Sequence, residues 1–241
     1  MDAENPGAAR SRLLESVPSA DGELAAQILA ACPTVDLVAG DPYFRSSLPD
    51  ATLLIVERGF VILRVAPPLA NRSIITCDAG PGRVLLAPAS EEVLFALVDS
   101  KLTVISPEAL DALLALPGVA KTLLEQLALT LGEKQEAIGN FGSTRHIERV
   151  RGKLLQLARN YGRVARDGVR IDFPLSHTLL AEMVGSSRET VTRSLDELQR
   201  DGFVARRGHD YRLLVSPDCV ASDNPALAGG ERRYGLGCGE L

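Results

Sequence analysis

The stretch Ser176 to Val204, SHTLLAEMVGSSRETVTRSLDELQRDGFV, has the spacing of two short helices joined by a tight turn. Leu180, Met183 and Val184 recur at helical intervals, Ser176 stands where a helix cap is needed, and Gly185 supplies the positive φ that lets the chain leave sharply. A second helix starts almost at once. Ser186-Ser187-Arg188-Glu189 reads as a capping box, and Val191, Leu195 and Leu198 form an inward stripe at intervals of four and three.

The residues left facing outward carry the chemistry. Arg188, Glu189, Thr192 and Arg193 fall near the exposed start of the second helix. Arginine offers a fork of donors to guanine, and glutamate accepts from the cytosine amino group. On an isolated helix these would be solvated charges. A candidate winged hairpin follows them here, and a helix-turn-helix presents the start of its second helix to the major groove, so base reading is the expected role of all four.

The same run resembles the DNA-binding segment of the cyclic-AMP receptor protein and fumarate-nitrate regulator (CRP/FNR) family, whose recognition helices often read SRETV followed by a polar or small residue and Arg. Ser187, Arg188, Glu189, Thr190, Val191 and Arg193 match without a gap. The resemblance is strong over residues 143–216 and architectural before them. It implies that Arg188 and Arg193 read guanines and Glu189 a cytosine-containing step, in half-sites similar to the family's TGTGA type. It also implies an activator that touches RNA polymerase through the loop Gly162 to Asp167.

With 241 residues and 46% apolar composition the chain has enough material for two modest cores, built mainly of Leu, Val and Ala because tryptophan is absent. A net charge of −5 argues against a nucleic-acid partner until its distribution is read. Residues 143–217 hold 14 Lys+Arg against 9 Asp+Glu, a net of +5, while the remainder holds 12 against 22, a net of −10. A basic C-terminal module on an acidic body is the footprint of a chain that meets phosphate at one end. The start, MDAENPGAAR, lacks a basic segment leading into an apolar one, and no long uninterrupted apolar run follows, so the expected location is the cytoplasm.

Cys32, Cys77, Cys219 and Cys238 are scattered, with no CxxC pair and no histidine at ligand spacing, so structural thiols are expected and no metal. His146, His177 and His209 all fall in the C-terminal half, and neither a Ser-His-Asp, a Walker nor an HExxH arrangement is present. No enzyme and no cofactor are expected.

Along the chain, Asp21 is placed to cap a short helix that ends at Cys32-Pro33. From Val35 to Ser106 short apolar runs separated by Gly, Pro and Asp predict an antiparallel β-roll, with Glu57-Arg58-Gly59-Phe60 as a hairpin turn and EVLFALV and KLTVIS as separate strands. The order of elements looks like the sensor domain of the same family. Its cyclic-nucleotide members carry a Gly-Glu pair, a short helix and an Arg-Ser or Arg-Thr pair around the phosphate. Gly82 to Glu92, GRVLLAPASEE, has neither pair and no room for the helix, and Arg83 alone is a weak substitute, so cyclic AMP is not expected to bind. Haem is unsupported as well.

A helix from Pro107 to Leu116 leads to a longer one, Val119 to Asn140, in which Leu124, Leu127, Leu131, Ile138 and Phe141 alternate by four and three with Lys134 as a polar interruption. A parallel homodimer seam is expected there, with Leu123 and Leu129 turned to the sheet and Gly139 and Gly142 as a hinge. The next helix pairs an apolar stripe, Ile147 to Tyr161, with Arg145, Arg149, Arg151 and Lys153, which either contact phosphate or pack by their stems. Phe203-Val204 and Tyr211 to Val215 flank a basic tip and predict a two-stranded wing.

The expected fold is therefore α+β: a flexible N-terminus (1–19), a cyclic-nucleotide-binding-like jelly roll or β-roll (20–117), a long dimerisation helix with hinge (118–142), a winged helix-turn-helix (143–217) and a disordered tail (218–241). Double-stranded DNA carrying an inverted repeat is the expected partner. Ser176, His177, Thr178, Ser187, Arg206, Arg207 and His209 are the expected phosphate contacts. The chain names no small-molecule effector, and a β-roll that gates DNA binding through one remains an open alternative.

Overall fold

The computed structural model describes residues 14, 17–48, 50–65, 73–142, 145–171, 173–216 and 220, and their side chains except those of 19, 133, 134 and 136–142. The expected loose N-terminus before residue 14, the tail from 221, residues 66–72 within the expected β-roll, Cys219, and the side chains of Lys134, Ile138 and Phe141 lie outside the described residues. The chain divides into two compact units, Met1–Gln135 and Glu136–Leu241.

The first unit opens with helix α1 (Ser19–Ala31) and continues through β1 (Thr34–Leu37), β2 (Pro42–Tyr43), β3 (Leu53–Val65), β4 (Ile74–Ala79), β5 (Val84–Leu86) and β6 (Glu92–Ile105). These strands form one antiparallel sheet. β3 and β6 pair along their length, β4 and β5 share the far edge of β3, and β1 and β2 share that of β6. One face holds Leu54, Val56, Val61, Leu63, Leu94, Leu102 and Val104 in a common core. The other presents Leu53, Ile55, Val84 and Ile105 to α1 and to two following helices, α2 (Pro107–Leu114) and α3 (Pro117–Gly142).

The Glu57 to Phe60 break is not a hairpin. β3 runs straight through it as a bulge: Gly59 takes φ +89, and the register with β6 shifts on either side. Between the pairs Leu54↔Val104 and Val61↔Ala96, β3 advances seven residues while β6 advances eight. Inward positions therefore change from even to odd along β3 and stay even along β6, which keeps apolar side chains on one face throughout. Turn chemistry at Glu-Arg-Gly was the misleading signal.

Three smaller expectations are also corrected. EVLFALV and KLTVIS are one 14-residue strand, since the polar Asp99-Ser100-Lys101 is spanned by pairing rather than by a turn. α1 begins at Ser19, and Asp21 accepts instead from the Gly118 amide at 2.9 Å, so it caps the start of α3. Leu129 does not face the sheet; it is 46% exposed, beside Leu124 at 72% and Leu131 at 58%, whereas Val119 and Leu123 are buried. Ser106 caps α2, accepting from the Ala109 amide at 3.2 Å.

The second unit contains α4 (His146–Tyr161), β7 (Gly162–Ala165), β8 (Gly168–Ile171), α5 (His177–Val184), α6 (Arg188–Arg200), β9 (Val204–Arg207) and β10 (Asp210–Leu213). Gly162 to Asp167 is therefore not a loop: Gly162–Ala165 pairs with β8, and Arg166-Asp167 is the turn. The wing is correspondingly larger than two strands, a four-stranded antiparallel sheet in the order β7-β8-β10-β9. α4 packs on α5 and α6, and Val150, Leu154, Leu157, Leu180, Val191, Leu195 and Leu198 are all buried.

Candidate nucleic-acid interface

The two helices of the second unit are delimited by local chemistry. Ser176 Oγ accepts from the Leu179 amide at 3.1 Å, which opens α5, and Gly185 at φ 60, ψ 44 closes it in the left-handed conformation. α6 is capped by Ser187, whose Oγ accepts from the Thr190 amide at 3.1 Å and pairs with the Thr190 hydroxyl at 2.9 Å. The expected capping box beginning at Ser186 is corrected accordingly. Ser186 is buried, with its Oγ 3.0 Å from His146 Nδ1, so it serves the interior and not the cap.

A small polar group supports the turn from beneath. Arg149 is buried, donates through Nη1 to the Val184 carbonyl at 3.3 Å and lies 2.6 Å through Nη2 from His146 Nδ1. Arg151 stacks its guanidinium 4.8 Å from the centre of the Phe203 ring, and Lys153 donates to Gln156 Oε1 at 3.0 Å. Arg149 and Arg151 thus spend their guanidiniums on contacts inside the domain, a use that neither expected role described.

Val191, Ser194, Leu195 and Leu198 turn α6 inward, which leaves Arg188, Glu189 and Arg193 exposed at and just after its start. Among the described residues, neither the Arg188 nor the Arg193 guanidinium has an ion-pair partner. Thr192, the fourth expected base reader, is only partly exposed. Its Oγ1 donates to the Arg188 carbonyl at 2.9 Å and lies 2.8 Å from His177 Nδ1.

The expected phosphate contacts separate into two groups. Ser176, Thr178 and Ser187 lie at the starts of the two helices, and Arg207 and His209 are exposed on the hairpin between β9 and β10. His177 and Arg206 are engaged with each other: Arg206 Nη1 meets His177 Nε2, its Nη2 pairs with Asp196 Oδ1 at 2.7 Å and its Nε donates to Gln199 Oε1 at 3.3 Å. Burial first, then the Arg206 and Arg188 charges, lower the His177 pKa below the ordinary histidine value. Burial likewise raises the Tyr211 phenol. Sequence reasoning missed this network, although Thr192, Asp196 and Gln199 at intervals of four and three mark a polar stripe on α6.

Residues 148–218 match the profile of the Crp-like helix-turn-helix domain. The chain as a whole has the fold of solved CRP/FNR-family regulators, and its C-terminal part is similar in sequence to their DNA-binding domain. It is 34% identical over 104 residues to the global nitrogen regulator of Synechococcus elongatus, a match that covers 43% of this chain and 46% of that relative. The match thus spans about half the length of that nitrogen regulator. Over longer reach, it is 27% identical across 223 residues to the CRP-like cAMP-activated global transcriptional regulator of Mycobacterium tuberculosis, covering 86% of this chain and 93% of that one. The structure of a CooA mutant from Carboxydothermus hydrogenoformans superposes with a TM-score of 0.68 at 15% identity, covering 80% and 88% of the two chains. The chain thus joins a β-roll to a Crp-like helix-turn-helix domain, and the relatives named here are regulators by name. Where CRP/FNR cyclic-nucleotide members are expected to place a short helix, residues 87–91 of this chain are non-helical, and Glu92 binds the Ala89 amide and the Thr76 hydroxyl. Among the described residues no cluster could hold a metal ion, and no single helix is long and apolar enough to cross a membrane.

Proposed function

We propose that this CRP/FNR-type regulator binds an inverted-repeat operator as a homodimer, with Arg188, Glu189 and Arg193 reading base edges. The observation that carries the reading is the pair of exposed guanidiniums on the first two turns of α6, neither of them ion-paired among the described residues. Each would serve guanine through two parallel donors, and Glu189 would accept from cytosine. Ser176, Thr178, Ser187, Arg207 and His209 would set register and affinity through phosphate. Exposed Leu124 and Leu131, with half-buried Leu127 between them, support the dimer, because a leucine left in water forgoes about 1.5–3 kcal/mol that burial returns. Two copies would then place their α6 helices in grooves about 34 Å apart.

The absence of the Gly-Glu and Arg-Ser pairs between Gly82 and Glu92 supports DNA binding that does not require cyclic AMP. Contact with RNA polymerase would fall to the hairpin of β7 and β8, where Arg163 and Arg166 are exposed. The test is selection of duplexes from a randomised pool by the purified full chain, with nothing added and with cyclic AMP added, alongside sedimentation. Enrichment of one palindrome by a dimer, unchanged by cyclic AMP, is expected. A monomer with equal affinity for scrambled and palindromic duplexes would overturn the proposal.

A further inference from the structure

We propose that His177 is a positioning residue for base reading, which ties wing strand β9 to the start of α6 through Arg206 and Thr192 and does so only as the neutral imidazole. The inference rests on the DNA-reading role proposed above and gives a different part to Thr192, an expected base reader, and to His177 and Arg206, expected phosphate contacts.

The hydrogen bonds run in one direction. A guanidinium has donors and no acceptor, so Arg206 Nη1 must donate to a lone pair on His177 Nε2. The ring proton of a neutral imidazole then sits on Nδ1 and points at Thr192 Oγ1, 2.8 Å away. The Thr192 hydroxyl in turn donates to the Arg188 carbonyl at 2.9 Å. The relay therefore begins on β9, crosses α5 and ends on the backbone of the first residue of α6, whose side chain is a proposed base reader. Asp196 and Gln199, both on α6, hold the other nitrogens of Arg206 at 2.7 and 3.3 Å, so the wing strand is tied to α6 both directly and through the imidazole.

Protonation would break this arrangement. A second ring proton on Nε2 would confront the Arg206 donor, and the surrounding charges are Arg206 from β9, Arg188 from α6 and His209 from the turn, opposed by Asp196 alone. Loss of the relay would leave β9 tied to α6 through Asp196 and Gln199 and would free the first turn of α6 to shift, while Arg188, Glu189 and Arg193 remain present. Discrimination between sequences should fall more than affinity for DNA as such. A phosphate-binding histidine would do the reverse, since its protonation adds attraction to every duplex.

The experiment uses the full chain, the duplex it enriches from a randomised pool at pH 7.5, and a scrambled duplex of the same composition, with Kd measured for both between pH 5.5 and 8. The expected result for the unmodified chain is a selected-to-scrambled preference that drops by about three- to tenfold as pH falls below the histidine range, the worth of one net hydrogen bond. His177→Gln, which keeps one donor and one acceptor and does not titrate, should hold the preference flat. His177→Phe should show the reduced preference at every pH, with scrambled-duplex affinity changed by less than about twofold. Thr192 supplies an independent arm, because Thr192→Ser keeps the hydroxyl and Thr192→Val keeps the methyl volume. Only the serine should preserve discrimination; the opposite order would mean that Thr192 reads a thymine methyl, and the relay would be rejected. It is also rejected if His177→Gln follows the same pH profile as the unmodified chain, or if His177→Phe weakens both duplexes equally. Failure of the unmodified chain to enrich any duplex would overturn the DNA-reading proposal and this one together, a result separable from all the others.

Discussion

Replacing Gly59 with alanine should destabilise the first unit by about 2–5 kcal/mol, and the sum can be built from two parts. At φ +89 an L-residue pays roughly 1–2 kcal/mol for the left-handed conformation. The added Cβ would also lie 2.1 Å from Ser100 Oγ and 2.6 Å from Ser100 Cα and Cβ. Ser100 cannot swing aside cheaply, since its Oγ accepts from the Phe60 amide at 3.0 Å and donates to the Val98 carbonyl at 2.6 Å. Moving its Cα means displacing β6, an overpacking strain of about 1–3 kcal/mol. Gly40→Ala is the matched control in the same unit: φ is +87, yet nothing lies within 4 Å of the built Cβ, so it should cost only the conformational part, about 1–2 kcal/mol. Equilibrium urea unfolding followed by far-UV circular dichroism reads both as midpoint shifts. Ser100→Gly in the Gly59→Ala background should recover only a fraction, because the Cα overlap persists. If Gly59→Ala falls within about 0.5 kcal/mol of Gly40→Ala, the close approach of β3 to β6 at the bulge is refuted.

Four further outcomes are expected. Arg193→Ala should cost about 1–3 kcal/mol on the selected duplex and flatten preference at one base pair, whereas equal loss on random DNA would contradict base reading. Arg207→Ala should weaken binding to every duplex and lower the salt slope by about one unit, as measured by titration between 50 and roughly 200 mM salt. Ser187→Ala should remove the α6 cap at a cost of about 1 kcal/mol in thermal or urea unfolding, while Ser187→Asp should retain most of that stability and still lose affinity for all duplexes through repulsion of phosphate. Because the folded pKa of His177 lies below its unfolded value, the folded chain favours the neutral ring. The stability this contributes is present above about pH 6.5 and is lost as pH falls through the lowered folded value, and His177→Gln should remove that slope from unfolding curves.

The helix-turn-helix was legible because everything that defines it is local: serine caps at positions 176 and 187, a left-handed glycine between them and apolar side chains at helical intervals. The β-roll was legible as a class and misread in detail. Glu-Arg-Gly has turn chemistry whether the chain reverses there or only bulges, and the deciding term is the pairing of β3 with a strand some forty residues away. Gly162–Ala165 escaped notice as a strand because four residues without apolar alternation gain their order from β8, not from their own pattern. The base-reading candidates followed from spacing on α6. The relay from Arg206 to Thr192 did not, since His177 and Arg206 are 29 positions apart and meet only once the wing has folded back over the helices.

β9 lies at the outer margin of its sheet, and its four residues are Val204, Ala205, Arg206 and Arg207. An open strand margin is a template on which foreign chains can polymerise, and paired cations are a common safeguard against it. Arg207 is exposed on this strand and Arg206 is half-buried against Asp196, Gln199 and His177, so both charges stand where such a safeguard would act. Neutralising both at once would leave a short uncharged ribbon, and turbidity of that double variant would then report strand addition, which a DNA titration alone would mistake for lost affinity.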